Sequence, residues 1–493
     1  MEPTRSLSTL GLRPARGGDV AVCDIALDSR NVVRGGLFAA LPGTQVHGAA
    51  FIPYAIRMGA AAILTDPAGA AMAADDLAAF GGAVVVVDDA RLALAHALAR
   101  FVDAQPETVV AVTGTSGKTS VASFTCQLWL ALGLRAASLG TLGVEGDFAA
   151  PLKHTTPDPV TLHRLLADMA VAGITHLAME ASSHGLDQRR LDGVRIAAAG
   201  FTNLSQDHLD YHPDMESYFA AKAGLFDRLL PTGAGAAVCL DDPRGPKIAA
   251  MVRDRGGRVI GVGTGPDADL RIGAQRFDAT GQTLRFTWAG GPRQTRLELV
   301  GGFQAANALL AAGLCILSGA APDPVFDALC RLGTVPGRME RAATRANGAP
   351  VFVDYSHKPG ALVAALTALR PHVMGRIVVV LGAGGDRDRG KRVLMGEAAC
   401  AHADIVYVTD DNPRSEDPAA IRAAVLAGCP GASEVPDRAE AILRGVDALG
   451  PGDALLIAGK GHETGQIVGD AVYPFDDREQ ASIAVAALDG AGA

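Results

Sequence analysis

Short apolar runs separated by glycine and aspartate open the chain. Residues 60–64 and 83–87 are apolar runs of strand length, and residues 90–101 repeat apolar positions at helical spacing. Pro106 and the polar stretch 103–107 break the pattern, which predicts a domain boundary near residue 105. A β-branched run at 108–112 follows, then GTSGKTS, then a helical pattern to Leu132. Strand, glycine-rich loop and helix in that order predict the opening of a parallel α/β unit. Similar alternation is expected to about Leu332. The longest apolar stretch, 308–321, contains Gly313, Ser318 and Gly319; it is too short for a membrane span and reads as a buried helix. Pro336 and Gly337 mark a second boundary. Beyond it the apolar runs 350–353, 376–381, 405–409 and 454–458 alternate with helical segments. That is the pattern of a doubly wound sheet, whose ligands sit at the carboxyl ends of its strands. The expected organisation is α/β throughout, with domains at 1–105, 106–338 and 339–493.

Composition narrows the class. The 493 residues are 49% hydrophobic but only 5% aromatic, so the cores are expected to be built from Ala, Val and Leu. A net charge of -9 argues against binding nucleic acid through bulk charge, and an anionic substrate would need local basic residues. The seven cysteines (23, 126, 239, 315, 330, 400 and 429) include no CxxC pair, which disfavours a disulfide framework or a cysteine zinc site and fits a reducing cytoplasm. The first residues, MEPTRSLSTLGLRPARGGD, lack the apolar core of a signal peptide. The expectation is a cytoplasmic enzyme that engages neither membrane nor nucleic acid.

The chemistry begins at Gly114-Thr115-Ser116-Gly117-Lys118-Thr119-Ser120. Backbone N–H groups and a helix N-terminus can surround phosphate oxygens there; Lys118 reaches the terminal phosphates and the Thr119 hydroxyl can ligate Mg²⁺. The standard phosphate loop would place glycine at position 112, which is valine here, so the loop is a shortened variant. On its own it is compatible with a GTPase, a kinase or an ATP-driven ligase. Glu180 ends the apolar run 174–179 and offers a hard oxygen to Mg²⁺, although a solvated strand-end glutamate is an equal reading. TNLSQDHLDYH, residues 202–212, gathers histidines and aspartates without the spacing of a zinc site; a Mg²⁺ beside His208 fits better. Residues 217–230 read as an amphipathic helix, and Lys222 within it would ordinarily be a surface lysine.

Ten segments together resemble the Mur ligase family: GTSGKTS, MEASSHGLDQRR, TNLSQDHLDYH, YFAAKAGLF, FQAANALLA, GRME, DYSHKPGAL, GAGGDRDRGKR, DNPRSEDP and AGKGHE. They stand in the family's order, and the likeness runs from about residue 28 to residue 463. The resemblance implies an N-terminal domain that holds the UDP part of the acceptor, a central ATP-binding domain with a parallel sheet, and a Rossmann-like C-terminal domain that brings an amino acid. It places uridine and diphosphate contacts at Leu27, Ser29, Thr44, Gln45 and Val46, where Thr44 and Val46 depart from the family's His-Gln-Ala. It places the muramoyl-dipeptide at Thr155, Thr156, Ser182, Gln188 and Arg190, with His154 where asparagine is common. Asn307, Arg338 and His357 match adenine-nucleotide contacts. Lys222 matches a carbamylated lysine that, with Thr119, Glu180 and His208, would serve Mg²⁺.

The implied reaction starts with the acceptor's D-glutamate carboxylate attacking the γ-phosphate of ATP. Its acyl phosphate then reacts with an incoming amine, with Lys118, Lys222 and His208 as the catalytic set. A closing third domain would exclude water and raise the effective concentration of the amine. Asp411, Asn412, Pro413 and Arg414 match the segment that marks meso-diaminopimelate-adding members, with Arg387, Gly459 and Glu463 as further contacts. A guanidinium can clamp the far carboxylate of diaminopimelate, which lysine lacks. Pairing of Arg414 with Glu416 or Asp417 on the surface is the plainer alternative. A lysine-adding ligase is the nearest other function. A folylpolyglutamate synthase would lack the UDP-binding stretch 28–48, and a GTPase switch would carry an Asn-Lys-x-Asp signature that the chain lacks. A monomer is expected, with UDP-N-acetylmuramoyl-L-alanyl-D-glutamate, meso-diaminopimelate and ATP as its small-molecule partners.

Overall fold

A computed structural model describes residues 4–43 and 45–490. Thr44, one of the uridine-side candidates, therefore lies outside the described residues. By packing, the chain forms two compact units, Met1–Gly261 with Leu310–Ala321, and Val262–Leu309 with Pro322–Ala493.

The first unit opens on a parallel sheet whose strands, Ile25–Ala26, Leu37–Ala40, Ala62–Thr65 and Ala83–Val86, lie in chain order. Both faces are covered, which is why the strands read as unbroken apolar runs. Leu37, Leu64 and Val85 face Leu94 and Leu98 of the helix Ala90–Val102. Phe38, Ile63 and Val84 face Ile52, Ala55 and Leu77. The first two strands of this sheet went unread, because a two-residue strand and LFAA carry too little pattern.

The central sheet of this unit runs in the order Gly235–Cys239, Ile196–Phe201, Thr108–Thr113, His176–Glu180, Ala136–Gly140, Gly143–Gly146. All neighbours are parallel except the last pair. Thr108–Thr113 lies in the middle, and Glu180 is in register with Val112. The ends of these two adjacent strands therefore deliver the glycine-rich loop and Glu180 to one edge, the position at which α/β sheets hold ligands.

The second unit corrects the expected alternation to residue 332. Leu270–Asp278, Gly281–Trp288 and Gly291–Leu297 form an antiparallel meander. Segments such as LRIGAQRFD put an arginine or glutamine beside each apolar residue, so one sheet face stays wet. The helix Phe303–Leu317 is strongly buried, as its composition predicts. The C-terminal sheet has the order Glu340–Thr344, Pro350–Asp354, Ala454–Ala458, Ile377–Leu381, Ile405–Val408, Ser433–Glu434, parallel but for its first strand. Four of these strands match the four apolar runs. The two outer strands carry polar residues and went unread. Among the described residues no helix is long and apolar enough to cross a membrane.

One buried ion pair ties this sheet to two helices. Arg438 and Asp477 have side chains 0% exposed and join at 2.7 Å, and Arg438 Nη2 also donates to the Ala458 carbonyl at 3.0 Å. Removing one partner leaves an uncompensated buried charge, which costs roughly 3–5 kcal/mol. Asp477→Ala is expected to lose stability on that scale in urea unfolding followed by circular dichroism; a loss within the scatter of surface substitutions would contradict this reading.

Candidate active site

The glycine-rich loop is held from below by side chains as well as backbone. Gly114 has φ +149°, and a Cβ there would lie 1.9 Å from Thr202 Oγ1, so the residue must be glycine. Thr115 N donates to the Asn203 carbonyl at 2.8 Å, Ser116 N to Asn203 Oδ1 at 3.0 Å, and Thr202 Oγ1 to the Ser116 carbonyl at 2.6 Å. Lys118 and Thr119 begin the helix Lys118–Ala131. Lys118 Nζ donates to the carbonyls of Gly114 and Thr115 at 2.9 and 2.8 Å.

Lys222 is where the sequence and the structure differ most. The helix stops at Met215–Gly224 and continues as one π-turn, Leu225–Leu229. Lys222 is 1% exposed, and its Nζ donates to the Gly114 carbonyl at 2.7 Å and lies 4.5 Å from the Tyr218 ring. It is no surface lysine. Burial, then the nearby Lys118 charge, holds its amine well below the usual lysine range. A neutral amine is what carbon dioxide needs for carbamate formation.

Glu180 is 1% exposed; its Oε1 accepts from Thr141 N at 2.7 Å, and it lines a small cavity together with Thr119, Ser138 and Gly140. His208 has a left-handed backbone, φ 53°, with its ring 4.9 Å from His184 and 6.1 Å from Tyr218. Tyr218 hydroxyl meets Thr115 Oγ1 at 3.1 Å. Among the described residues no three His, Cys, Asp or Glu side chains form a ready metal site. The hydroxyl of Thr119 and the carboxylate of Glu180 are hard oxygen donors on one cavity, and this chemistry fits Mg²⁺ rather than zinc.

The five dipeptide candidates form one connected network. Thr141 Oγ1 meets Thr155 Oγ1 at 3.0 Å, and Thr156 Oγ1 donates to the Glu180 carbonyl at 2.9 Å and accepts from Ser182 N at 3.0 Å. Arg190 donates to the Thr156 carbonyl at 2.6 Å and to Gln188 Oε1 at 2.7 Å. Sequence reasoning missed Tyr211, whose hydroxyl accepts from Gln188 at 3.2 Å and donates to Asp187 at 2.6 Å. Towards the N-terminus, Ser29 is 8% exposed in a short helix capped by Asp28, Leu27 is half-buried, and Gln45 and Val46 are exposed. His47 Nδ1 accepts from Ala49 N at 3.0 Å and its Nε2 meets Asp66 at 3.1 Å.

In the second unit the candidates collect at the carboxyl ends of parallel strands. Asn412 Nδ2 donates to Glu463 at 2.9 Å, while Lys460 Nζ and Ile467 N both donate to Asn412 Oδ1 at 2.9 Å. Lys460, 0% exposed and 3.7 Å from Asp411, went unassigned although it stands inside AGKGHE. Gly459 has φ +118°, and a Cβ there would lie 2.6 Å from Asp411 Oδ2. Burial raises the Glu463 carboxyl above its usual range. Arg387 is exposed, and a Cβ on Gly384 would lie 3.9 Å from its Cγ and 2.9 Å from Arg414 Nη1. Arg414, φ 53°, donates through Nη1 to the Gly385 carbonyl at 2.8 Å. The surface pair does not form: Glu416 is held by Arg392 and Arg389 at 2.8 and 3.2 Å, and Asp417 caps the next helix.

The Arg338 guanidinium lies 4.7 Å from the Tyr355 ring, which touches His357 and His462 at centroid distances of 4.5 and 5.0 Å. Burial pushes both histidines down to about 4, so this is a neutral aromatic surface with the Arg338 guanidinium on it and Lys391 Nζ donating to the His357 carbonyl at 3.0 Å. Asn307 is 6% exposed near the start of its helix and donates to Gln304 Oε1 at 3.1 Å.

Comparisons with known proteins match both sheets to domains of one family. Residues 112–315 match the Mur ligase middle domain, residues 337–461 the Mur ligase glutamate ligase domain, and residues 23–102 the Mur ligase family catalytic domain. The chain belongs to the Mur ligase family. It is 51% identical over 471 residues to a UDP-N-acetylmuramoyl-L-alanyl-D-glutamate--2,6-diaminopimelate ligase of Bradyrhizobium diazoefficiens, covering 94% of this chain and 95% of the relative. A ligase of the same name from Caulobacter vibrioides is 48% identical over 493 residues, 99% and 100% of the two chains. A solved structure of an enzyme so named superposes with a TM-score of 0.73 at 32% identity, covering 99% of both chains.

Two substitutions test the central site. Lys118→Ala should keep the fold and reduce turnover by at least about 10²–10³-fold, the scale of losing one fixed donor to developing charge; near-normal ATP-dependent phosphate release by the folded variant would contradict this. Lys222→Ala should be nearly inactive and regain activity when acetate or formate supplies the missing oxygens. A variant that keeps most of its activity would remove the carbamate.

Proposed function

We propose that this chain is an ATP-dependent amide ligase that adds meso-diaminopimelate to UDP-N-acetylmuramoyl-L-alanyl-D-glutamate in peptidoglycan precursor synthesis. The observation that carries the choice of amino acid is Arg414, whose guanidinium has no Glu416 or Asp417 partner and stands beside Asn412 and Glu463. Relatives 49–51% identical to this chain bear the diaminopimelate name, which sets the lysine-adding alternative aside.

In this reading Arg414 clamps the far carboxylate of the amino acid, while Asp411, Asn412, Glu463 and Arg387 hold the rest of its polar groups and Pro413 and Gly459 shape the loops around it. Thr155, Thr156, Ser182, Gln188 and Arg190 present the acceptor's glutamate, and Leu27, Ser29, Thr44, Gln45 and Val46 hold its uridine diphosphate. The backbone of residues 114–120 cradles the phosphates of ATP, and Asn307, Arg338 and His357 take the adenosine end. Lys118 neutralises charge as the acceptor carboxylate meets the γ-phosphate. Thr119, Glu180, His208 and Lys222 as its carbamate would hold Mg²⁺, which when bound screens the repulsion between two anions. The acyl phosphate is then open to the amine, giving the amide and inorganic phosphate.

The division into domains at 1–105, 106–338 and 339–493 belongs to the same proposal, supported by polar, proline-containing joints at its borders. So do a monomeric state, a cytoplasmic location, and the absence of nucleic-acid and membrane partners.

Arg414→Ala tests the assignment. One charge-assisted hydrogen bond contributes roughly 1.5–3 kcal/mol, so the KM for diaminopimelate should rise about tenfold to 150-fold. The KM for ATP should hardly move. Lysine need not become a substrate, because removing a cation builds no site for an ammonium. An unchanged diaminopimelate KM with normal kcat would withdraw the amino-acid assignment and leave the ligase assignment standing.

A further inference from the structure

We propose that Cys400 and Cys429 form a reversible dithiol–disulfide site that straps together the two helices behind the amino-acid loops. The helices Lys391–His402 and Pro418–Gly428 meet backbone to backbone. A Cβ on Gly396 would lie 2.0 Å from the Val425 carbonyl oxygen, and one on Gly428 2.0 Å from that of Val393. Cys400 stands one turn beyond Gly396 on the same face, and Cys429 adjoins Gly428. The Cys400 sulfur is near enough to act on the Cys429 thiol. The two helix backbones thus approach closely beside both cysteines, the setting in which a disulfide can close.

The two thiols differ in access. Cys400 is exposed and Cys429 is 2% exposed. Burial, then the contact with Cys400, pushes the Cys429 thiol up to about 11. An oxidant therefore reaches Cys400 first, with Cys429 waiting behind it. Cys126 also lies near Cys315, but both are buried and offer no entry.

With a hydroperoxide as oxidant, the Cys400 thiolate attacks one peroxide oxygen. The O–O bond breaks, and the leaving hydroxide takes up the thiol proton as water. The Cys429 sulfur then attacks the resulting sulfenic sulfur; the S–S bond forms, the S–O bond breaks, and a second water carries off the Cys429 proton. Two thiols lose two electrons and the peroxide gains them. In a reducing cytoplasm the bond would be transient, formed under oxidant and opened by thiols.

The location gives the strap its meaning. The loops carrying Arg387 and Arg414 enter these helices at their N-terminal ends, where Arg392 pairs with Glu416 at 2.8 Å. The cysteines lie at the opposite, C-terminal ends. Oxidation would fix the far ends of a helix pair whose near ends are already tied.

The test uses the full chain treated with hydrogen peroxide, followed by thiol counting after denaturation, non-reducing peptide mapping and urea unfolding. Free thiols should fall from seven to five. A Cys400–Cys429 cross-linked peptide should form and should vanish with dithiothreitol. The oxidised chain should unfold at higher urea, because closing the loop restricts the unfolded chain. Cys400→Ser, an exposed change, should give no such cross-link; Cys429→Ser should leave Cys400 as a sulfenic acid that a dimedone probe captures. Wild-type protein that keeps all its thiols, that links Cys400 only to a second chain, or that unfolds at unchanged or lower urea when oxidised overturns the proposal.

Discussion

Two lysine amines donate to one carbonyl oxygen, that of Gly114, from 2.9 Å for Lys118 and 2.7 Å for Lys222. Two ammonium ions this close in a water-poor site would repel, so one must yield its proton, and burial selects Lys222. Everything around the phosphate loop is arranged about this contact. Gly114 must lack a side chain, Asn203 must hold the loop's amides, and Tyr218 must close the pocket over the amine.

The C-terminal sheet solves a related problem with a network instead of a single contact. Lys460 is fully buried, yet its amine finds Asn412, the Gly465 carbonyl and, farther off, Asp411. Asn412 in turn fixes Glu463. A buried cation satisfied in this way holds two loops from different strands in one geometry, a use of polar groups that only complete satisfaction makes tolerable. Arg414 stands at the border of the network and donates to the Gly385 carbonyl instead of a carboxylate.

Much of the architecture could be read from the residues. The apolar runs at 350–353, 376–381, 405–409 and 454–458 became neighbouring strands because both faces of the sheet are covered. The reading failed where that condition fails. LRIGAQRFD and its neighbours form a sheet with one wet face, and Glu340–Thr344 and Ser433–Glu434 are edge strands whose polar residues carry no core signal. Lys222 failed for the opposite reason. Its helix has apolar residues on more than one side, and no local pattern reveals that the lysine side is covered by the phosphate loop.

The sequence by itself determined the apolar strands of the covered sheets, the glycine-rich loop between strand and helix, and the family, since these rest on residue type and short spacing. Only the tertiary structure decided which side chains share an environment. Lys222 and Gly114 are 108 residues apart, and Lys460 and Asn412 are 48 apart. Burial, charge proximity and the competition of Arg392 for Glu416 are properties of such long-range neighbours, and a linear pattern does not contain them.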